Sequence, residues 1–126
     1  MKLTEPEWML MNALWQGYPA TAREVERRLP ADVQWAYTTI KTMLTRLAAK
    51  QAVSEEKRGN TSLYEPLVTR SKARRSALSS LLNQAFEGGV APMLHFLVND
   101  KKLSDKQRRE LIRILEKEEG KTGGSK

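Results

Sequence analysis

The sequence predicts a mainly α fold with a small β-hairpin wing: a winged helix-turn-helix domain over residues 1–67, then a helical region over 68–119. Three observations point there. The stretch from Trp35 to Pro66 reads as one amphipathic helix followed at once by a short two-stranded hairpin. Ahead of it, Thr4 with Glu7 and Thr21 with Glu24 form capping boxes that open two earlier helices. After Pro66 the strand formers give way to apolar residues at helical spacing.

The first helix starts at the Thr4 box, with Pro6 in a first turn where its missing N–H has no intrahelical role. Trp8, Met11, Leu14 and Trp15 give it a buried face, and Gly17 and Pro19 stop it. Both tryptophans read as core. The second helix runs from Thr21 through Leu29, with Ala22, Val25 and Leu29 on one side, and Pro30 ends it. The loop Ala31 to Gln34 leads into the third helix, so the pair forms a helix-turn-helix with a somewhat long turn. In that helix Ile40, Met43, Leu44, Leu47 and Ala48 fall on a single stripe that must face a core. The runs VSEEK and TSLYE then alternate as strands around Arg58-Gly59-Asn60, where Gly and Asn are expected to supply the positive φ of a tight hairpin. Lys57 and Arg58 lie at its tip, and Tyr64 reads as a packing residue.

Opposite the apolar stripe, Thr38, Lys41, Thr42 and Thr45 share a face that offers hydroxyls, methyls and a cation but no carboxylate. Such a face suits a DNA groove, because Lys reaches phosphates or guanine acceptors and a Thr methyl meets a thymine methyl. Trp35 and Tyr37, at the start of this helix, either brace the turn or touch the backbone of a duplex.

From Val68 to Phe86 the pattern of Ala77, Leu78, Leu81, Leu82, Ala85 and Phe86 marks a fourth helix, ended by Gly88-Gly89. A short, mostly apolar helix follows over Val90 to Val98, carrying Met93, Leu94 and Leu97. Ser104 and Gln107 form a third capping box, opening a last helix with Leu111, Ile112 and Leu115 on its inner face. Residues 120–126 are expected to be a disordered tail. Helices this apolar bury themselves poorly on a small domain, so the expected use is dimerisation; the alternative is that they fold back on the first domain.

The chain has 126 residues, a formal net charge of +7 and a pI near 9.9, which favours a polyanionic partner. The excess falls mainly on residues 67–126, although Lys41, Arg46, Lys50, Lys57 and Arg58 face only Glu55 and Glu56 within the helix and hairpin. Arg70, Lys72, Arg74 and Arg75 follow with no acid among them. Without cysteine there is no disulfide, thiolate nucleophile or thiolate metal site, and the lone His95 rules out a histidine cage. No nucleophile is paired with a base, so no enzyme, metal or cofactor is expected. No apolar run approaches the roughly 20 residues of a membrane span and no signal-peptide pattern opens the chain, which leads us to expect a cytoplasmic protein.

LTEPEWMLMNALW, YTTIKTMLTRL and RGNTSLYEP, in that order and followed by a helical tail, resemble the opening helix, recognition helix and wing of the penicillinase-repressor family, the BlaI/MecI/CopY type of winged-helix regulators. The resemblance covers nearly the whole chain. It implies a homodimeric repressor that binds a dyad operator in double-stranded DNA through its winged helices and dimerises through its C-terminal helices. Thr38, Thr39, Lys41, Thr42 and Arg46 take recognition-helix positions, with Thr39 and Thr42 expected on bases and Lys41 and Arg46 on phosphates. The family's beta-lactam-responsive members are released when a membrane sensor-protease triggers cutting within the dimerisation helices. GGVAPMLHFLVND resembles that region and places the cut between His95 and Phe96, with His where the best-known members have Asn. Gln51-Ala52 is a second departure, since relatives usually carry a Gly there. The copper-responsive branch fits poorly, because its cysteine-rich motif has no counterpart here. Competing functions are a non-specific architectural DNA-binding protein, which would lack sequence preference, and a helical protein-interaction module, which would bind no duplex.

Overall fold

The computed structural model describes residues 2–100 and 103–122, with elements in the order α1 (Glu5–Trp15), α2 (Ala22–Arg28), α3 (Tyr37–Ala49), β1 (Val53–Arg58), β2 (Thr61–Pro66), α4 (Arg70–Ala85), α5 (Val90–Asn99) and α6 (Asp105–Thr122). The chain divides into two compact units, Met1–Ser80 and Leu81–Lys126. The first is a winged helix-turn-helix.

Local chemistry sets its helix starts. Thr4 and Thr21 each accept from the N–H three residues on, while Glu7 and Glu24 return a carboxylate to the cap N–H, so both capping boxes are complete. Leu10, Met11, Ala13 and Leu14 of α1, Val25 of α2 and Ile40, Leu44 and Leu47 of α3 meet in one core with Ala52, Val53 and Tyr64. Trp8 and Trp15 are half-buried rather than fully inside: Trp15 packs against this core, and the two ring centroids lie 6.0 Å apart. Trp15 keeps its indole N–H near the surface because it donates to the Val68 carbonyl at 3.0 Å.

β1 and β2 pair antiparallel from Val53↔Pro66 to Arg58↔Thr61. The two-residue turn uses positive φ at Gly59 alone (64°), so Asn60 does not take the left-handed conformation expected of it. Positive φ at the first central residue only is the type II′ pattern. A further bridge, Ala20↔Tyr64, joins the segment before α2 to β2 through bonds of 2.8 and 2.9 Å and buries Tyr64 between Ala20 and the hairpin.

α3 closes through its C-cap Lys50 and the next residue, Gln51, which stands in the left-handed region at φ 67°. The N–H of Ala52 reaches the Leu47 carbonyl and that of Gln51 the Ala48 carbonyl, a complete Schellman closure that tucks Ala52 into the core. Glutamine thus takes a conformation that ordinarily favours glycine.

The division between the two compact units falls within α4. Thr69 caps α4, Ala73 is buried, Val68 packs on the core, and the Arg70 guanidinium lies 5.5 Å from the Trp15 ring centroid, all of which tie the start of α4 to the winged helix. In the second unit, Phe86 and Phe96 meet with ring centroids 5.8 Å apart, and the Ser104–Gln107 box opens α6. α6 continues to Thr122, past the Gly120 where the sequence suggested a tail; residues 123–126 lie outside the described residues. α5 has no buried residue, and the expected inner face of α6 is open, with Ile112 48% and Leu115 56% exposed.

Candidate nucleic-acid interface

α3 is held by its inner stripe: Ile40, Leu44 and Leu47 are completely buried, with Met43 and Ala48 partly so. That anchoring turns Thr38, Thr39, Lys41, Thr42, Thr45 and Arg46 outward together. No side chain caps the start of α3 and no acid lies in its first turn, in contrast to α1 and α2. The outer face therefore combines positive charge with uncapped amide groups, the polarity a phosphate backbone meets favourably.

Two of the threonines are preset. The Thr42 hydroxyl donates to the Thr38 carbonyl and the Thr45 hydroxyl to the Lys41 carbonyl, each at 3.0 Å. With its proton committed to the helix, Thr42 presents a methyl group and oxygen lone pairs outward, matching a thymine methyl or a base amino group.

Among the described residues the ion pairs are Arg23–Glu26, Lys50–Glu7 and Arg58–Glu56. Lys41, Arg46 and Lys57 thus carry charge with no carboxylate partner, whereas Arg58 leans 3.7 Å from Glu56 on the hairpin. Lys50 is drawn away from the groove face to Glu7 at 2.7 Å and the Lys2 carbonyl at 2.9 Å. Burial pushes the Glu7 carboxyl up, but hydrogen bonds from Lys50 and the Thr4 N–H outweigh it and leave it below the usual carboxylate value. Arg28 is likewise structural, donating to the Ala13 and Gly17 carbonyls at the end of α1.

Trp35 and Tyr37 are both half-buried and packed against the core. Tyr37 also supports a residue the sequence did not suggest: the Arg23 guanidinium stacks over its ring at 3.8 Å, and Lys41 lies 5.8 Å from the same centroid. Pairing Arg23 with Tyr37 depends on the path of the turn between α2 and α3, so no local pattern announces it.

A mainly apolar core under a helix-turn-helix, a hairpin beside it, and an exposed acid-free face on the second helix of the pair together define a DNA-binding winged-helix regulator. The chain belongs to the penicillinase repressor family, whose model matches residues 3–117. It is similar to the penicillinase repressor of Bacillus licheniformis, 33% identical over 91% of this chain and 90% of that one. It is also similar to the methicillin resistance regulatory protein MecI of Staphylococcus aureus strain N315, 27% identical over 92% of this chain and 94% of that one. Among solved structures, that of monomeric Bacillus licheniformis BlaI in complex with the blaP half-operator aligns with a TM-score of 0.48 and 29% identity, covering 57% of this chain and 88% of that chain.

Proposed function

We propose that this chain is a transcriptional repressor that acts as a homodimer, each winged helix seating α3 in the major groove of one half of a dyad operator. The observation that carries this is the outer face of α3, where Thr38, Thr39, Thr42, Thr45, Lys41 and Arg46 stand exposed with no carboxylate while Ile40, Leu44 and Leu47 on the opposite stripe are completely buried. A solvated helix without a ligand has no reason to exclude Glu from so long a face. Lys57 on the hairpin and the uncapped start of α3 add phosphate-facing groups on either side.

The homodimer rests on the apolar surface of the later helices. Leu78 and Leu81 on α4, Phe96 and Val98 on α5, and Ile112, Ile114 and Leu115 on α6 are each between 45% and 56% exposed. Phe86, Met93, Leu94, Leu97 and Leu111 are only partly covered, and Leu82 is the best buried of the set at 9%. Side chains of this kind are normally removed from water by a partner, and a second copy supplies the same apolar groups in return. Release by proteolysis between His95 and Phe96 fits the same arrangement, since both residues are exposed on α5 and a cut there divides the helix that offers Met93, Leu94 and Leu97. A membrane sensor-protease pathway in the same cytoplasm would supply the trigger.

Selection from a random duplex pool at near-physiological salt tests the proposal. A recovered dyad with half-sites about one helical turn apart is the expected result. A pool bound without sequence preference would sink the repressor reading in favour of an architectural role, and a pool not bound at all would favour a protein partner for α3.

A further inference from the structure

Between the start of α2, the first turns of α3 and the hairpin lies a cleft of about 330 Å³, lined by Arg23, Lys41 and Lys57 from three different elements. Asn60 and Thr61 add uncharged donors, and no carboxylate lines it. The Glu55 carboxylate nearby in β1 is occupied by the Ser62 hydroxyl at 2.6 Å and more weakly by that of Tyr64 at 3.4 Å. Among the described residues Lys41 and Lys57 have no carboxylate partner, and an anion entering the cleft would offset their charge. We infer that this cleft is a phosphate seat, which takes a single backbone phosphate of the operator and clamps the hairpin to the helix-turn-helix around it.

Arg23 is the organising group. Its guanidinium carbon lies over the Tyr37 ring, 3.8 Å from the centroid, so the group is held in place before a ligand arrives. Nη1 meets Glu26 at 3.2 Å, which leaves the other edge of the fork for a phosphate oxygen, and its side chain remains 61% exposed. Lys41 completes the link to DNA, because it lines the cleft and also stands on the outer face of α3. A phosphate held here is therefore one belonging to the duplex that α3 reads. The space accommodates a phosphodiester with several waters, each of which takes about 30 Å³. Three cations converging from α2, α3 and β1 also fix the distance between groove reader and hairpin.

This assignment rests on the proposed operator binding, and its test separates the two. Operator duplexes recovered by selection are synthesised with one phosphate at a time replaced by a neutral methylphosphonate, then bound to the full chain and to Arg23→Gln. One position per half-site should weaken the wild-type chain about tenfold and Arg23→Gln clearly less, because one of the charge-assisted bonds to that phosphate is already lost. The slope of log affinity against log salt should become shallower by about one for each half-site in Arg23→Gln. Lys57→Gln should behave alike, and neither exposed substitution should move the melting temperature. If the wild type prefers its operator while both variants keep its salt slope and full phosphate map, the seat is wrong and the repressor stands. If the wild type prefers no sequence, both fall together. Saturation of the cleft by millimolar inorganic phosphate without DNA, followed as chemical shifts of the Arg23 side chain against a chloride control, would assign it to a free anion instead.

Discussion

Thr42 and Leu44 lie two residues apart on α3 and do opposite work. Thr42 is exposed, with its hydroxyl turned back to the Thr38 carbonyl. Thr42→Ala should leave the melting temperature almost unchanged and weaken operator binding by about 1–3 kcal/mol, while Thr42→Val, which keeps the methyl, should recover much of that loss. Equal affinity for operator in wild type and Thr42→Ala would remove the residue from the reading face. Leu44 is completely buried, so Leu44→Ala should cost about 2–5 kcal/mol in folding, read as a lower midpoint in urea with an unchanged slope. The periodicity of α3 made this division legible in advance, because a helix repeats its faces every few residues. The roles of Arg23 and Lys50 were not legible: their partners Tyr37 and Glu7 are distant in sequence, and only the assembled core brings them together.

Single elements carry two further expectations. Gln51 holds a left-handed conformation at φ 67°, which costs a residue with a Cβ more than glycine. Gln51→Gly should therefore stabilise the winged helix by about 1 kcal/mol, measured as a rise in melting temperature; a fall would mean that the Gln51 side chain contributes more than its strain. The Lys50–Glu7 pair joins the end of α3 to the first turn of α1. Because the folded state holds the Glu7 carboxyl below its ordinary value of 4.5, the pair's contribution is present above that value and is lost as pH falls through the lower, folded one. Thermal melts on acidification should show this loss in the wild type and much less of it in Glu7→Gln. Capping boxes and the hairpin turn were readable because each is a short local grammar. The Ala20↔Tyr64 bridge and the start of α4 were not, since one joins residues far apart in the chain and the other depends on what packs against Val68 and Ala73.

For the whole molecule, the division of labour is between a unit with a closed core and a unit whose apolar residues stay open. The core of the winged helix is complete among its own elements, so changes on α6 should not unfold it. Ile112→Lys combined with Leu115→Lys should yield a monomer by sedimentation equilibrium and lower affinity for a dyad far more than for an isolated half-site. A double variant that still sediments as a dimer would place the partner surface elsewhere. Amphipathic spacing showed in the sequence which residues of these helices are apolar, but not whether the same chain or another copy would cover them, because both choices bury the same side chains. The exposed leucines, isoleucines and phenylalanine of α4 to α6 have a consequence for the cell. Where monomer predominates, the amount of dimer follows the square of total protein, so halving the number of copies per cell reduces dimer about fourfold. If the proposed dimer is the repressing form, uneven partition of the protein at division would leave a target gene less repressed in the daughter that receives fewer copies, with no inducer present.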